Sequence, residues 1–319
     1  MRNSPSVEDA EVAALPETPI ERMSSRDYQT VREYFRTGPD RPVIFTDAME
    51  DWPARKSWTF DRLANQFGAD LGLVPLGFLG QSGGLAMMLG EFIRKMDDPS
   101  CEVAGFWVDQ EGRPINGPQK TGEELWSFIW NAFAKHPELE KEIGPSPQGM
   151  ENGLEKLERP VIDALQKATD NSFHLFIVSS KGTTTPWHFD FPLSIASLSQ
   201  FAGRKRVYLM RRLPGDGARI TDFNPENPDF EKFPHYEGRL AYSGTLEPGE
   251  MLIVPRDFWH YVRSLTHCIT MSYNFFTPET AVGCVQSILE FGKDRLDPCD
   301  RQIILDAFED VLTGETTSA

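Results

Sequence analysis

The chain contains 319 residues, of which 39% are hydrophobic and 25% are charged, as is typical of a soluble globular protein. Asp and Glu outnumber Lys and Arg by 48 to 32, which gives a formal net charge of -16. An acidic surface repels phosphate backbones, so we expect no nucleic-acid partner. No apolar run approaches the roughly 20 residues of a membrane helix, and the N-terminus lacks a signal-peptide core. We therefore expect a cytoplasmic protein with no membrane partner.

The first part of the chain predicts three helices and one strand after an unstructured lead. Residues 1–23 are acidic and contain prolines, and we expect a poorly ordered segment there. Hydrophobic periodicity predicts helices over about 25–36, 59–67 and 89–96. A short apolar run predicts a buried strand over 41–46.

Residues 105–170 have a different character and predict a helical insert. Thr121-Gly-Glu-Glu124 matches a capping box, after which we expect an aromatic-rich helix over about 125–133. A stretch rich in Pro and Gly at 144–149 interrupts the region. A second helical pattern follows over about 154–168.

From residue 173 the pattern becomes β. Segments rich in β-branched and aromatic residues, separated by Gly and Pro, predict strands over 173–179, 193–201, 205–211, 251–254 and 268–276. Two further helices are expected at about 279–291 and 298–312. The fold class is therefore mainly β with added helices.

Three residues in the β region have the pattern of a metal site. His188 and Asp190 are two residues apart, so on a strand both side chains would point to the same face. His260 follows another apolar strand, which can lie beside the first in a rolled antiparallel sheet. Two His and one carboxylate form the facial triad that leaves three positions open on Fe(II). The alternative is a His and an Asp that are merely hydrogen-bonded in a sheet.

We interpret His136 and His235 as surface residues, and His174 and His267 as ordinary strand positions.

An ordered series of motifs carries a family resemblance. These segments are Asp51-Trp-Pro53 with Trp58, Leu89-Gly-Glu-Phe92, Gly182–Asp190, Gly203–Arg206, Pro248–His260 and Ser272–Phe276. Together they resemble the JmjC (cupin-like) hydroxylase family. The resemblance implies a double-stranded β-helix, a jelly-roll or cupin-like core, that uses Fe(II), 2-oxoglutarate and O2. It also implies a catalytic domain over residues 24–276, preceded by the lead and followed by a C-terminal segment over 277–319.

The same resemblance assigns the cosubstrate site. Many oxygenases of this general fold bind the distal carboxylate of 2-oxoglutarate with an Arg after the second His, but residues 270–274 contain none. The resemblance gives this role to Lys205, with Thr185 and Asn274 as hydrogen-bonding partners. Strand alternation places Lys205, like Val207 and Leu209, on a face that can point into the barrel. The alternative is a solvated Arg-Lys-Arg run. Leu198 stands where some family members place a polar cosubstrate contact.

The expected activity is hydroxylation of a protein side chain, a peptide or a small metabolite, with N-demethylation as an alternative. Two rival classes stay open: a cupin-like metal-binding protein or pseudoenzyme, and a non-redox metal isomerase or lyase. Trp187, Phe189 and Phe191 flank the metal ligands and are candidates for shaping the substrate pocket, with core packing as the other interpretation. The 105–170 insert is expected to cover the barrel mouth as a lid, or else to buttress the outer face.

We also expect a homodimer through the C-terminal helices, partly because family members often dimerise in this way. These helices carry more apolar residues than one-sided packing requires: Ile288, Leu289, Phe291, Ile303, Ile304, Ala307, Phe308 and Val311. The alternative is that both helices fold back on the barrel.

Overall fold

The computed structural model describes residues 14–309 and 312, apart from 37, 76–82, 99, 101–104, 110–111, 117–126, 170–172, 191–193 and 218–219. It begins with an extended arm that contains β1 (Glu17–Pro19) and β2 (Glu21–Met23), which pair in parallel with strands of two different sheets. Ile20, between them, is 3% exposed. The prediction of a poorly ordered lead is therefore wrong for residues 17–23, because strand pairing and one buried isoleucine fix a polar segment.

Two sheets form the centre of the molecule. The other strands are β3 (Val43–Phe45), β4 (Leu71–Pro75), β5 (Gly84–Met88), β6 (Gly105–Val108), β7 (Pro114–Ile115), β8 (Ser127–Trp130), β9 (His174–Ser179), β10 (Thr184–His188), β11 (Ile195–Ala202), β12 (Lys205–Arg211), β13 (Ala241–Leu246), β14 (Met251–Val254), β15 (Phe258–Ser264) and β16 (Cys268–Phe275). The smaller sheet has the order β1-β13-β12-β15-β10, and the larger has the order β2-β3-β14-β11-β16-β9-β8-β4-β5-β6-β7. The five strands predicted after residue 173 are confirmed as β9, β11, β12, β14 and β16.

The two sheets face each other and enclose an apolar interior. Leu198 and Leu252 of the larger sheet pack there with Val207, Leu209 and Val262 of the smaller sheet. The intervening residues of β12 point the other way, into a cluster on the outer face of the smaller sheet. This alternation is the expected pleat of a strand buried on both faces. The predicted double-stranded β-helix, a jelly-roll core, is confirmed.

Helices cover the outer face of the larger sheet. They are α1 (Tyr28–Arg36), α2 (Ala54–Ser57), α3 (Phe60–Phe67), α4 (Leu89–Asp97), α5 (Ala132–Lys135), α6 (Arg159–Ala168), α7 (Pro278–Phe291) and α8 (Pro298–Ala307). The three helices predicted before residue 100 are confirmed as α1, α3 and α4. Thr59 caps α3, since its side chain accepts a hydrogen bond from the backbone N–H of Arg62. Burial of one helical face on the sheet forms the largest apolar cluster of the protein.

The prediction of a helical insert over 105–170 is wrong for its first part. Residues 127–130 form β8, which pairs with β4 and β9, where an aromatic helix was expected. Phe128 and Trp130 are buried in the cluster outside the larger sheet, as is Phe133 of α5. Sheet pairing and aromatic burial outweigh the helix signal from the capping box at Thr121, which lies outside the described residues. The described part of the insert after residue 126 therefore packs as a buttress.

The C-terminal helices are confirmed as α7 and α8, and both contact the body of the molecule. Ile288 of α7 and Ile304 of α8 are fully buried, and Phe308, directly after α8, is 4% exposed. Leu289 and Ile303 are half-buried against the same cluster. The expected homodimer stays a prediction. Within the described ranges, no helix combines the length and the apolar character needed to span a bilayer.

Candidate metal centre

The three predicted metal ligands meet at one end of the barrel. β10 is the edge strand of the smaller sheet and pairs antiparallel with β15, with His188 directly opposite His260. The register shifts between Thr185 and His188, so both residues face the barrel interior although they are three positions apart. Asp190 lies just after the end of β10, and its carboxylate reaches the two rings from there.

The distances between the donor atoms are short enough for one metal ion. The Nε2 atom of His188 is 3.7 Å from Oδ1 of Asp190, and the Nε2 atom of His260 is 3.8 Å from the same oxygen. One ligand atom from each residue lies within 4.8 Å of the others. Both histidines are buried, while Asp190 is partly exposed. Two imidazoles and one carboxylate on one side of a site suit Fe(II), which needs open positions for further ligands.

Hydrogen bonds orient both imidazole rings. Nδ1 of His188 is 2.7 Å from the carbonyl of Pro186, and Nδ1 of His260 is 3.3 Å from the carbonyl of Phe258. A carbonyl can only accept, so Nδ1 carries the proton and Nε2 keeps its lone pair for a metal. Burial lowers the pKa of His260 to about 4, and the nearby His188 ring lowers it as well. His260 is therefore neutral at pH 7, as a metal ligand must be.

A second layer of side chains supports the ligand strands from behind. Trp187 and Trp259 each precede a ligand histidine, and their rings stack in parallel with centroids 6.1 Å apart. Trp259 donates its Nε1–H to Asp216 at 2.8 Å, and Arg239 donates to both oxygens of the same carboxylate at 2.8 and 3.1 Å. Neither Asp216 nor Arg239 is predicted from the sequence. The repeated Trp-His pair was the only local signal for this support.

The candidate substrate residues divide three ways. Trp187 is fully buried in the cluster behind β10, which fits the interpretation of core packing and not that of a pocket residue. Phe189 is half-buried, and its ring makes an edge-to-face contact with Trp259, with ring centroids 4.9 Å apart. The guanidinium of Arg212 lies over the Phe189 ring. Phe191 lies outside the described residues. Neither Trp187 nor Phe189 therefore lines the metal site from within the barrel.

Lys205 is the buried cation that the resemblance implies. It is 5% exposed, shares the inner face of β12 with Val207 and Leu209, and pairs in register with Ser264. No hydrogen bond or ion pair of its ammonium group is found among the described residues. Burial lowers its pKa below the usual range. An unpaired buried cation is unfavourable, and a carboxylate of 2-oxoglutarate would supply the missing counter-charge.

The two other cosubstrate candidates flank the same interior. Thr185 of β10 lies opposite Val262, and Asn274 of β16 projects from the facing sheet. Asn274 is 6% exposed and donates its Nδ2–H to Ser194 at 3.1 Å. Leu198 packs in the apolar interior, so this position supplies no polar contact. The residues present therefore fit a dicarboxylate held between the two sheets by one cation and hydrogen-bonding groups.

The remaining histidines lie apart from this triad. His235 is exposed, as predicted, and His174 lies on β9. His136 is wrongly predicted as a surface residue: its Nε2 is 2.7 Å from Asp70, which also accepts from Trp130. His267 lies in the turn before β16, and its Nδ1 accepts a hydrogen bond from the backbone N–H of Lys181.

Several known proteins are similar to this chain in sequence. Residues 134–281 match the family model of the cupin-like domain. The chain is 34% identical to HSPB1-associated protein 1 of Rattus norvegicus, in an alignment that covers 73% of the chain and 48% of that protein. It is 23% identical to lysine-specific demethylase 8 of Xenopus tropicalis, with 81% and 53% covered. The chain thus spans about half the length of these curated relatives. The resemblance to the JmjC (cupin-like) family is confirmed.

Proposed function

We propose that this chain is an Fe(II)- and 2-oxoglutarate-dependent oxygenase that hydroxylates a C–H bond of a protein side chain, a peptide or a small metabolite. One observation carries the proposal: a His-Asp-His triad and an unpaired buried lysine open into the same barrel interior. The cupin-like family match and the demethylase-named relatives support the same superfamily. The chain's cytoplasmic location and its lack of nucleic-acid and membrane partners stay part of the proposal.

Each residue of the site has a separate task. His188, Asp190 and His260 hold the metal through three donors and leave its other positions free. Lys205 pairs with the distal carboxylate of 2-oxoglutarate, while Thr185 and Asn274 orient the cosubstrate by hydrogen bonds. Bound iron supplies the redox chemistry that activates O2. One oxygen atom enters the substrate and the other enters succinate, with release of CO2.

N-demethylation is the second candidate, and the names of two relatives favour it. They are lysine-specific demethylase 8 of Xenopus tropicalis and lysine-specific demethylase JMJ21 of Arabidopsis thaliana. Oxidation of an N-methyl carbon gives a carbinolamine, which releases formaldehyde. The two reactions are therefore distinguished by their products: a substrate that gains one oxygen atom, or a substrate that loses a methylene unit together with formaldehyde.

Turnover and cosubstrate binding test the proposal directly. Anaerobic addition of Fe(II) and 2-oxoglutarate should give the weak visible charge-transfer band of the chelate, and His188→Ala should lose it. His235→Ala removes an exposed histidine and is the matched control. With O2, succinate should form in the wild type and the control. A band without succinate or product, for all candidate substrates, would favour a binding protein or pseudoenzyme. Product formation that needs neither O2 nor 2-oxoglutarate would favour an isomerase or lyase.

The homodimer is a separate proposal, and full-length protein is the appropriate material because α7 is part of the apolar core. Ile303 is a half-buried residue of α8 and a candidate contact. Sedimentation of the wild type should show a dimer, and Ile303→Lys should shift it towards the monomer. Glu237→Lys, which changes an exposed residue outside the C-terminal helices, is the control. A wild type that sediments as a monomer at all concentrations would contradict the proposal.

A further inference from the structure

A second cavity lies on the opposite side of the larger sheet from the metal centre. Its volume is about 300 Å³, it is open to solvent on one side, and it is lined by residues of β9, β11, β14 and β16, by Trp52 and by the segment 140–155. Ser197 and Tyr273 form part of its floor and are register partners on β11 and β16. The Ser197 hydroxyl donates a hydrogen bond to the Tyr273 carbonyl at 3.3 Å. Their neighbours Leu198 and Asn274 point into the barrel instead. The sheet therefore separates this cavity from the proposed oxygenase site.

Aromatic and thioether side chains form one part of the cavity wall. Trp52, Met251, Met271 and Tyr273 line it, together with the ring of His174. The rings of His174 and Tyr273 stack with centroids 4.2 Å apart. Aromatic faces and sulfur atoms are polarisable surfaces that suit an alkylated cation.

The charged side chains that line the cavity are both acidic. Glu140 and Glu155 are exposed residues at its rim, and no Lys or Arg is found among the described residues that line it. Glu155 is held in place because its Oε1 accepts hydrogen bonds from Ser146 at 2.9 Å and Asn152 at 3.2 Å.

The polar groups inside the wall are neutral. Burial lowers the pKa of His174 to about 4 and raises the pKa of Tyr273 to about 12. Neither ring therefore carries a charge at pH 7. No hydrogen bond of the His174 imidazole is found in the described parts of the chain, although its ring lines the cavity.

We propose that this outer cavity binds a small organic cation, such as an alkylammonium group. The aromatic and thioether wall would contact its alkyl surface, and the Glu155 carboxylate at the rim would balance its charge. An anion would meet two carboxylates and no cation, so the charge pattern selects against it. The site is independent of iron, 2-oxoglutarate and the proposed oxygenase reaction.

Choline and its uncharged carbon isostere, 3,3-dimethylbutan-1-ol, test the proposal with two ligands of nearly the same shape. Isothermal titration of the metal-free full chain should show saturable binding of choline, and binding of the isostere should be weaker by about fivefold or more. His188→Ala should leave choline binding unchanged, because the metal centre lies on the other side of the sheet. Equal affinity for the two ligands, or no binding of choline, would overturn the proposal.

Two variants locate the binding site. Glu155→Gln keeps the acceptor oxygen for Ser146 and Asn152 but removes the charge, and it should weaken choline binding by about threefold or more. Glu158→Gln is the matched control, because this exposed residue precedes α6 and does not line the cavity. Trp52→Phe should also weaken binding while retaining an aromatic face. If Glu155→Gln and Trp52→Phe both bind choline like the wild type, the cation is bound elsewhere and the assignment fails.

Discussion

The barrel interior contains two regions that differ in whether their buried polar groups have hydrogen-bond partners. At the metal end, each ligand histidine directs one ring nitrogen to a backbone carbonyl and the other towards Asp190. Deeper in the barrel, Lys205 has no such partner among the described residues. It pairs with Ser264, which is four residues from His260 along β15, or about 13 Å at strand spacing.

The metal end is a site of oriented donors, whereas the lysine end contains a charge whose burial is unfavourable. At the metal end, hydrogen bonds to backbone carbonyls orient both imidazole donors. At the lysine end, burial of an ammonium without a counter-charge is unfavourable, and a carboxylate of 2-oxoglutarate would balance that charge. A substitution of Lys205 should therefore stabilise the metal-free protein, a substitution of Asp190 should change its stability little, and both should reduce activity.

The largest effect is expected at the metal end. Asp190→Ala should reduce succinate formation by at least about a hundredfold, because the remaining two imidazoles hold Fe(II) weakly. The fold should be affected little, since Asp190 is partly exposed and lies beyond the end of β10. Inductively coupled plasma analysis after dialysis against Fe(II) gives the bound metal, and thermal unfolding gives the stability. Near wild-type turnover in Asp190→Ala, with His235→Ala as the unchanged control, would contradict the assignment of the triad.

The second effect tests the lysine end. Lys205→Met replaces the ammonium with an apolar group of similar length, and we expect the metal-free protein to become more stable by about 1–3 kcal/mol. Affinity for 2-oxoglutarate should fall by about 1.5–3 kcal/mol, since a charge-assisted hydrogen bond is lost. Urea unfolding and anaerobic titration of the Fe(II)-loaded protein measure the two quantities. Lys181→Met removes an exposed lysine and should change neither. An unchanged 2-oxoglutarate affinity would move the anchor to another residue.

A smaller effect is expected from the support behind the metal end. Although burial opposes it, hydrogen bonds from Arg239, the Leu213 N–H and Trp259 keep the pKa of Asp216 below its ordinary value. Asp216→Asn should weaken these bonds, loosen the Trp259-His260 segment and lower affinity for Mn(II) by about tenfold. Asp222→Asn, at an exposed position of the same loop, should leave it unchanged. Lower stability with unchanged Mn(II) affinity would show that Asp216 holds the loop and does not position His260.

The sequence predicts the metal end better than its surroundings, for a physical reason. His188 and Asp190 are two residues apart in one motif, and the family resemblance assigns the cosubstrate role to Lys205, with strand alternation in support. His260 and Lys205 each lie in a short motif of their own. Asp216 contacts Trp259, and Arg239 contacts Asp216, only because a long loop folds over the outer face of the smaller sheet. The spacing of these residues along the chain does not indicate either contact.

The errors outside the site have the same origin. Ser127–Trp130 belongs to the larger sheet because β4 and β9 flank it, and neither partner is adjacent in the sequence. His136 is partly buried because it binds Asp70, which is 66 residues away. The segment 17–23 is ordered by pairing with β13 and β3. Local patterns describe an isolated strand or helix well, whereas pairing with distant partners decides these positions.

The smallest effect extends the comparison to His174, a half-buried base that titrates in an accessible pH range. Like Lys205, His174 has no hydrogen-bond partner among the described residues, and burial lowers its pKa to about 4. An unfolded histidine has a pKa near 6.5. Between these two values the unfolded state binds more protons than the folded state, so stability falls as the pH decreases from about 6.5 towards 4. If burial without a partner depresses the basicity of both groups, His174 should report that effect directly.

Acidification from pH 7 to pH 5 should therefore cost about 1–2 kcal/mol through His174 alone. Urea unfolding at the two pH values should show that His174→Asn loses this part of the pH dependence, whereas His235→Asn, at an exposed position, keeps it. The comparison between the two variants removes the contributions of all other titrating groups. If His174→Asn has the same pH dependence as the wild type, the imidazole is hydrated through the outer cavity. Burial would then be a weaker influence on unpartnered bases in this fold than the depressed pKa of Lys205 implies.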